Sequence, residues 1–230
     1  MRKILFIICW ALAGVGLYSC SLDEPSYGKT TSDNYYQKES DIEQALTGAY
    51  LQLRTTWNEY ALNHYFVGDC STDDALKGGG NDGDRAEVRD LSDFTIYTTN
   101  GEVGRRWEIL YRLINRCNDV IYYAPDAIGN EELLKRYANE AKALRAFGYY
   151  CLVTTFGEVP LITTPMQPAE ILQIPRSPLE KVYECIVNDL TDASALPAKG
   201  DYSEDDAYRV TRGFAKTMLC LLYTSDAADE

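Results

Sequence analysis

Six polar side chains between residues 69 and 100 are of types that can bind a ligand rich in hydroxyl groups. Carboxylates, an arginine, an amide and a tyrosine ring can together hold hydroxyls through paired hydrogen bonds. The same stretch contains the glycine-rich run 78–84, which no helix tolerates because glycine loses too much backbone freedom there. Long irregular segments on a helical scaffold often carry function. We therefore predict ligand-binding roles, with ordinary solvated side chains as the alternative, for Asp69, Asp73, Asp74, Arg85, Tyr97 and Asn100.

The sequence contains little that would support catalysis or metal binding. His64 is the single histidine and no CxxC pair exists, which argues against a zinc site. The run 81–84 fails as a calcium loop, because Ala86 stands where an oxygen ligand is needed if Asp82 comes first. No nucleophile-elbow or zinc-protease motif occurs. We expect no catalytic residue, no metal and no cofactor.

A different chemistry is expected at Cys20. A basic start precedes the apolar run Ile4–Leu17, which is too short to span a bilayer comfortably and is typical of an export signal. The residues Leu17-Tyr-Ser-Cys20 resemble the lipobox of bacterial lipoproteins. This resemblance implies that residues 1–19 are removed and that the Cys20 thiol is alkylated with diacylglycerol. The alternative is an ordinary secretory signal with a cysteine there by chance.

Charge narrows the possible partners of the exported part. Removing Arg2 and Lys3 with the signal takes the net charge from −13 to −15. Such an acidic body is repelled by nucleic acid and by anionic lipid headgroups. We therefore expect no nucleic-acid partner, and contact with the membrane through the lipid anchor alone.

Apolar residues recur every three or four positions through most of the chain, which predicts a mainly α-helical protein. Capping boxes are predicted at Ser40–Glu43 and Ser177–Glu180, and Asn130 is predicted to cap a helix that stops at Gly157. Residues 69–101 are predicted to be irregular, with a short extended piece at 94–97. The predicted helices cover, approximately, residues 40–57, 62–67, 103–121, 131–156, 179–196 and a last segment that starts before residue 214.

Cysteines and aromatic residues fit the helical pattern. Cys117, Cys151 and Cys185 are spaced by 34 residues, the tetratricopeptide (TPR) period, although the TPR consensus is not legible. Of the seven cysteines, Cys9 lies in the predicted signal and Cys20 is expected to carry lipid. We expect the other five thiols to be free and buried. The chain has 18 tyrosines, a composition that suits carbohydrate binding, but five helical rings are predicted to lie in the core: Trp107, Tyr111, Tyr149, Tyr150 and Tyr183.

Several segments, in order, resemble the SusD/RagB family of outer-membrane nutrient-binding lipoproteins. The helix Trp107–Asn118 is similar to the family's W-x-x-L-Y-x-x-I-x-x-x-N helix, and the block Glu140–Ile162 carries its most specific pattern. Further similarity lies in Asp41–Tyr50, Arg176–Leu190 and Arg209–Lys216.

The resemblance implies TPR-like helix pairs, lipid anchoring at the cell surface, and capture of oligosaccharides or, in some branches, peptides. Delivery to a SusC-like TonB-dependent transporter is implied as well, without enzymatic activity. It also implies that part of the ligand site comes from residues 69–101. A TPR-like scaffold for a protein partner is the alternative, and a glycan-degrading enzyme is a third.

The domain organisation follows from these segments. We predict a signal peptide at 1–19, an acidic and extended N-terminal segment at 20–39, an incomplete SusD-like helical domain at 40–219, and a tail at 220–230. The tail departs from the family pattern, so we interpret it as non-native sequence.

Overall fold

The computed structural model describes residues 35–53, 64–81 and 83–226. Contacts divide the chain into Met1–Tyr35 and Tyr36–Glu230, and all that follows concerns the second unit. The predicted signal, Cys20, Trp57 and the side chain of His64 lie outside the described residues. The described part contains these α-helices: α1 Glu39–Tyr50, α2 His64–Val67, α3 Ala86–Ser92, α4 Gly101–Tyr123, α5 Glu131–Phe156, α6 Pro168–Ile171, α7 Leu179–Ala193 and α8 Arg212–Asp226.

The mainly helical prediction is confirmed. Between residues 35 and 226, strand pairing in the described ranges is limited to two isolated bridges, Lys38 with Ile128 and Val159 with Ser177. In the same ranges, no helix combines the length and the apolar character needed to cross a bilayer.

Antiparallel helix pairs build the core. One apolar cluster joins α4, α5, α7 and α8, and a second joins α1 to α4 and α5. At Gly148 a Cβ would lie 3.0 Å from Cγ1 of Ile114, so the glycine allows α5 to approach α4 closely. Successive pairs that stack in this way give the expected TPR-like array, because each pair buries an apolar face that it cannot bury alone.

Two predicted helix signals are confirmed at α5. The side chain of Asn130 accepts hydrogen bonds from the backbone N–H groups of Glu132 and Leu133, which caps the helix. At the other end Gly157 adopts φ 69°. A side chain is disfavoured at that angle, so the glycine ends the helix where the sequence predicted.

Both predicted capping boxes are wrong. Helix α1 begins at Glu39, and the Asp41 carboxylate accepts from the Lys38 N–H at 2.9 Å, so Ser40 is not the cap. The helix begins before the predicted cap because the Glu39 N–H donates to the carbonyl of Ile128, which is distant in sequence. At α7 the cap position is Pro178, because the Ser177 N–H instead donates to the carbonyl of Val159.

The region 69–101 departs from its prediction in two ways. It contains the unpredicted helix α3, whose Val88 and Leu91 bury against Phe66 and Cys70. Two apolar residues are too few to show a period in sequence, so only this tertiary contact reveals the helix. No strand forms at 94–97 in the structure, since Phe94 has φ 56° and belongs to a turn.

The core predictions hold for most aromatic residues and thiols. Tyr149 is fully buried, and Trp107, Tyr111 and Tyr150 are half-buried against the first cluster. Tyr183 was wrongly placed, since it lies on the solvent side of α7 and is 37% exposed. All five thiols are free: Cys70, Cys117 and Cys151 are buried, Cys185 is half-buried and Cys220 is exposed, contrary to its prediction.

A buried polar clamp holds the segment that follows α5. The Arg145 guanidinium donates to both carboxylate oxygens of Asp189 at 2.8 Å, to the Asn118 side chain at 2.9 Å and to the Thr163 carbonyl at 3.0 Å. The Tyr149 hydroxyl donates to the carbonyl of Ile162 at 2.8 Å. These bonds satisfy polar groups that burial would otherwise penalise, and they join α4, α5 and α7.

Candidate functional site

The predicted ligand-binding residues lie on a small subdomain formed by α2, α3 and their connections. Its core is Phe66, Cys70, Val88 and Leu91. Burial, followed by the negative charge of Asp69, raises the pKa of the Cys70 thiol, so this cysteine stays protonated at neutral pH. The subdomain is therefore a compact support for exposed polar loops.

Asp69 and Arg85 line one cavity of about 460 Å³. The Arg85 guanidinium lies 4.9 Å from the centre of the Phe66 ring and 3.3 Å from the Glu102 carboxylate. These two contacts orient the guanidinium at the start of α3. Lys77 and Asp84 also line the cavity. Charged groups of both signs thus converge on an open concave surface.

A second cavity, of about 360 Å³, is lined by the same segment, Leu76–Gly79. It is also lined by Asn81, Arg89 and Asp93. The two rings that follow it in sequence, Phe94 and Tyr97, are each 65% exposed. Exposed aromatic rings can stack on the apolar face of a ligand.

Backbone strain is concentrated in the same place. Among the described residues, the two non-glycine residues with positive φ are Arg85, at 47°, and Phe94, at 56°. Such conformations cost about 1–3 kcal/mol each and cluster at binding and catalytic sites. The strain therefore marks this region, and we call Asp69, Arg85, Phe94 and Tyr97 together the loop site.

The other predicted residues are placed differently. Asp73 and Asp74 are exposed on the turn that follows residues 69–71. The Asn100 side chain is 6% exposed, and its amide is used within the protein. Its oxygen accepts from the N–H groups of Glu102 and Val103, and its nitrogen donates to the Glu87 carbonyl at 2.9 Å. Asn100 thus caps α4, and ligand binding by all six residues stays a prediction.

Sequence reasoning did not select Phe66, Lys77 or Phe94. Lys77 stands directly before the glycine run, and Phe94 stands three residues before Tyr97. Their proximity to residues already chosen was the available signal. In the described part of the chain, no group of three or more His, Cys, Asp or Glu side chains could hold a metal ion.

Comparison with known proteins assigns the family. The SusD-like family described as "Starch-binding associating with outer membrane" matches residues 21–223. The chain belongs to the SusD-like family. A curated relative, SusD-like protein P2 of Formosa agariphila, is 30% identical over 86% of this chain and 40% of its own length.

Two solved structures extend this SusD-like similarity to the fold. A laminarin-binding SusD-like protein superposes with a TM-score of 0.71 at 31% identity, covering 82% of this chain and 40% of its own. Surface glycan-binding protein A from Bacteroides fluxus superposes with a TM-score of 0.71 at 26% identity, covering 84% of this chain and 41% of its own. The SusD-like chain therefore spans about two fifths of the length of these relatives.

Proposed function

We propose that this SusD-like chain is the helical part of a surface lipoprotein that captures oligosaccharides and does not alter them. Family membership and the laminarin-binding relative support this proposal. The captured glycan is then passed to a SusC-like TonB-dependent transporter in the outer membrane. Because the chain spans about two fifths of its relatives, we propose that it supplies one side of the binding surface.

The loop site is the observation that carries the proposal. Sugar rings present C–H faces that stack on aromatic side chains, and the exposed rings of Phe94 and Tyr97 offer such faces. Hydroxyl groups around a sugar need donors and acceptors in fixed positions, and Arg85 and Asp69 offer such groups in the cavity that they line. Asp73 and Asp74 extend the acceptor surface from their exposed turn.

The lipid anchor completes the proposed function. Cys20 is proposed to carry the lipid, and the acidic residues Asp23 and Glu24 are proposed to direct the protein to the cell surface. One or two acyl chains hold a protein to a membrane while its body remains in water. Mass spectrometry of the native protein should find an acylated Cys20 at the mature terminus, and a free α-amine on an unmodified cysteine would contradict this part.

Glycan binding is tested by calorimetric titration with laminarin. Changing Tyr97 to alanine should weaken binding about 2- to 12-fold, as expected for the loss of one stacking contact. Tyr223 is similarly exposed, at 64%, but belongs to α8, so Tyr223→Ala is the matched control and should bind normally. Equal affinities for the wild type and Tyr97→Ala would refute the loop site, and release of new reducing ends would refute a purely binding role.

A further inference from the structure

The loop site lies in a strongly acidic part of the chain. Residues 69–102 contain nine acidic and three basic side chains, which gives this stretch a net charge of −6. Asp69 and Asp84, both exposed, line the same cavity as Arg85 and Lys77. The excess of negative charge bears on the choice of glycan, because many sugar chains carry carboxylate or sulfate groups and others carry no charge.

The three basic side chains of this stretch are each bonded to the protein itself. Their cationic groups donate hydrogen bonds as follows: Arg85 to the Glu102 carboxylate at 3.3 Å, Arg89 to the Asp90 carboxylate at 3.1 Å, and Lys77 to the Asn81 backbone carbonyl at 2.7 Å. An acidic group of a ligand would therefore approach cations that already have oxygen partners. It would do so in a field that is negative overall, which opposes its binding.

Glu102 supplies a buried counter-charge to Arg85. It is 6% exposed in the first turn of α4, where the positive end of the helix dipole favours a carboxylate. Arg85 is exposed, and its guanidinium is also held 4.9 Å from the centre of the Phe66 ring. Salt screens a buried charge less than an exposed one, so Glu102 reduces the attraction of Arg85 for anions even at physiological ionic strength.

The groups exposed at the loop site suit a ligand made of hydroxyls. A sugar hydroxyl both donates and accepts hydrogen bonds, so it can donate to the carboxylates of Asp69 and Asp84. A carboxylate or sulfate of a ligand can only accept, and those same two side chains repel it. The rings of Phe94 and Tyr97 stack on a sugar face whether or not the sugar carries a charge.

We propose that the loop site selects uncharged glycans over acidic ones, and that Glu102 is a specificity-determining residue because it neutralises Arg85. This inference rests on the proposed glycan-binding function and adds the class of sugar. The neighbouring carboxylates of Asp69 and Asp84 strengthen the selection, since they accept from hydroxyls and repel anions.

The test is calorimetric titration of the 230-residue chain with three forms of laminarin. One form is unmodified, one has C6 hydroxyls oxidised to carboxylates, and one carries those carboxylates as methyl esters, which removes the charge. The oxidised form should bind at least about 10-fold more weakly than the ester. Raising NaCl from about 50 mM to about 500 mM should narrow this difference, because salt screens repulsion between exposed charges.

Three variants identify the charges responsible. Glu102→Gln keeps an acceptor oxygen for Arg85 but removes the negative charge, so the ratio of ester affinity to acid affinity should fall at least about 3-fold. Asp84→Asn removes an exposed charge from the cavity and should lower the same ratio. Glu108 is 66% exposed on α4, pairs with Arg112 and lines neither cavity, so Glu108→Gln is the matched control and should leave the ratio unchanged.

Failure of this inference can be told apart from failure of the proposed function. If unmodified laminarin binds but the ester binds no better than the oxidised form, the selection is overturned and glycan capture stands. The role of Glu102 is overturned if its folded glutamine variant keeps the wild-type ratio. Thermal unfolding shows whether that variant folds, and if it does not, an unchanged ratio in Asp84→Asn overturns the charge argument. Absence of binding by unmodified laminarin would overturn the proposed function and this inference with it.

Discussion

Replacing Arg145 with methionine should destabilise the protein by about 3–5 kcal/mol, because it leaves a buried carboxylate without its partner. Arg145 donates four hydrogen bonds, two to Asp189 and one each to Asn118 and the Thr163 carbonyl. The Arg145 and Asp189 side chains are 7% and 6% exposed, so water cannot replace the lost bonds. At roughly 2–4 °C per kcal/mol, the melting temperature should fall by about 6–20 °C.

The loss of stability in Arg145→Met should also depend on pH in a defined direction. Burial raises the pKa of Asp189 above its ordinary value, and the hydrogen bonds and charge of Arg145 oppose that rise. Without Arg145 the native pKa rises further, so the native state binds more protons than the unfolded state over a wider pH range. Stability then decreases as pH increases through that range. The difference between wild type and Arg145→Met should therefore be smallest near pH 4 and should grow towards pH 7.

The assay is urea unfolding followed by circular dichroism between pH 4 and pH 7. A double variant, Arg145→Met with Asp189→Leu, should recover much of the stability, since buried ion pairs are often replaceable by apolar residues. Arg112 on α4 forms an exposed ion pair with Glu108, and Arg112→Met should change stability by less than about 1 kcal/mol. A loss below about 1 kcal/mol in Arg145→Met, or a loss of the same size at every pH, would refute the reasoning.

Two further predictions concern helix ends and are measured by thermal unfolding. Asn100→Ala should cost about 1–2 kcal/mol, and more than Asn130→Ala, because the Asn100 amide also donates to the Glu87 carbonyl. Equal losses of stability in Asn100→Ala and Asn130→Ala would show that the bond to the Glu87 carbonyl does not stabilise the protein. Gly157→Ala should cost about 1–3 kcal/mol, since φ is 69° there although nothing lies within 4 Å of the new Cβ. Gly104 lies within α4 and has equally open space around its Cβ position, so Gly104→Ala should instead stabilise the protein by about 0.5–1 kcal/mol. If both variants changed stability in the same direction, the backbone angle at Gly157 would not be the cause of the loss.

Local signals predicted the long helices well. The apolar period of α4 is strong because this helix buries one side, whereas α5 is buried on most sides among α1, α4 and α7. Asn130 and Gly157 act within a few residues of themselves, so their effects can be read without knowing the fold. The export signal and lipobox stay a prediction, because the structure does not describe residues 1–34.

Signals that depend on distant contacts were misread. Ser40 matches a capping pattern, but the Glu39 N–H already binds the carbonyl of Ile128, which moves the start of α1. Tyr183 follows the apolar period of α7, yet no neighbour covers that side of the helix fully and the ring stays 37% exposed. The capping role of Asn100 likewise depends on a distant contact, because its local sequence does not show that the Glu87 carbonyl lies beside it.

The amino-acid sequence by itself determined the helical class, the family resemblance and the region that holds the candidate glycan site, because periodicity, caps and glycine runs act over a few residues. Tertiary structure alone decided which polar groups meet. Helix packing brings Arg145 of α5 to Asp189 of α7 and to Asn118 of α4. Such pairings depend on segments far apart in sequence, and only the folded chain sets the distances between them.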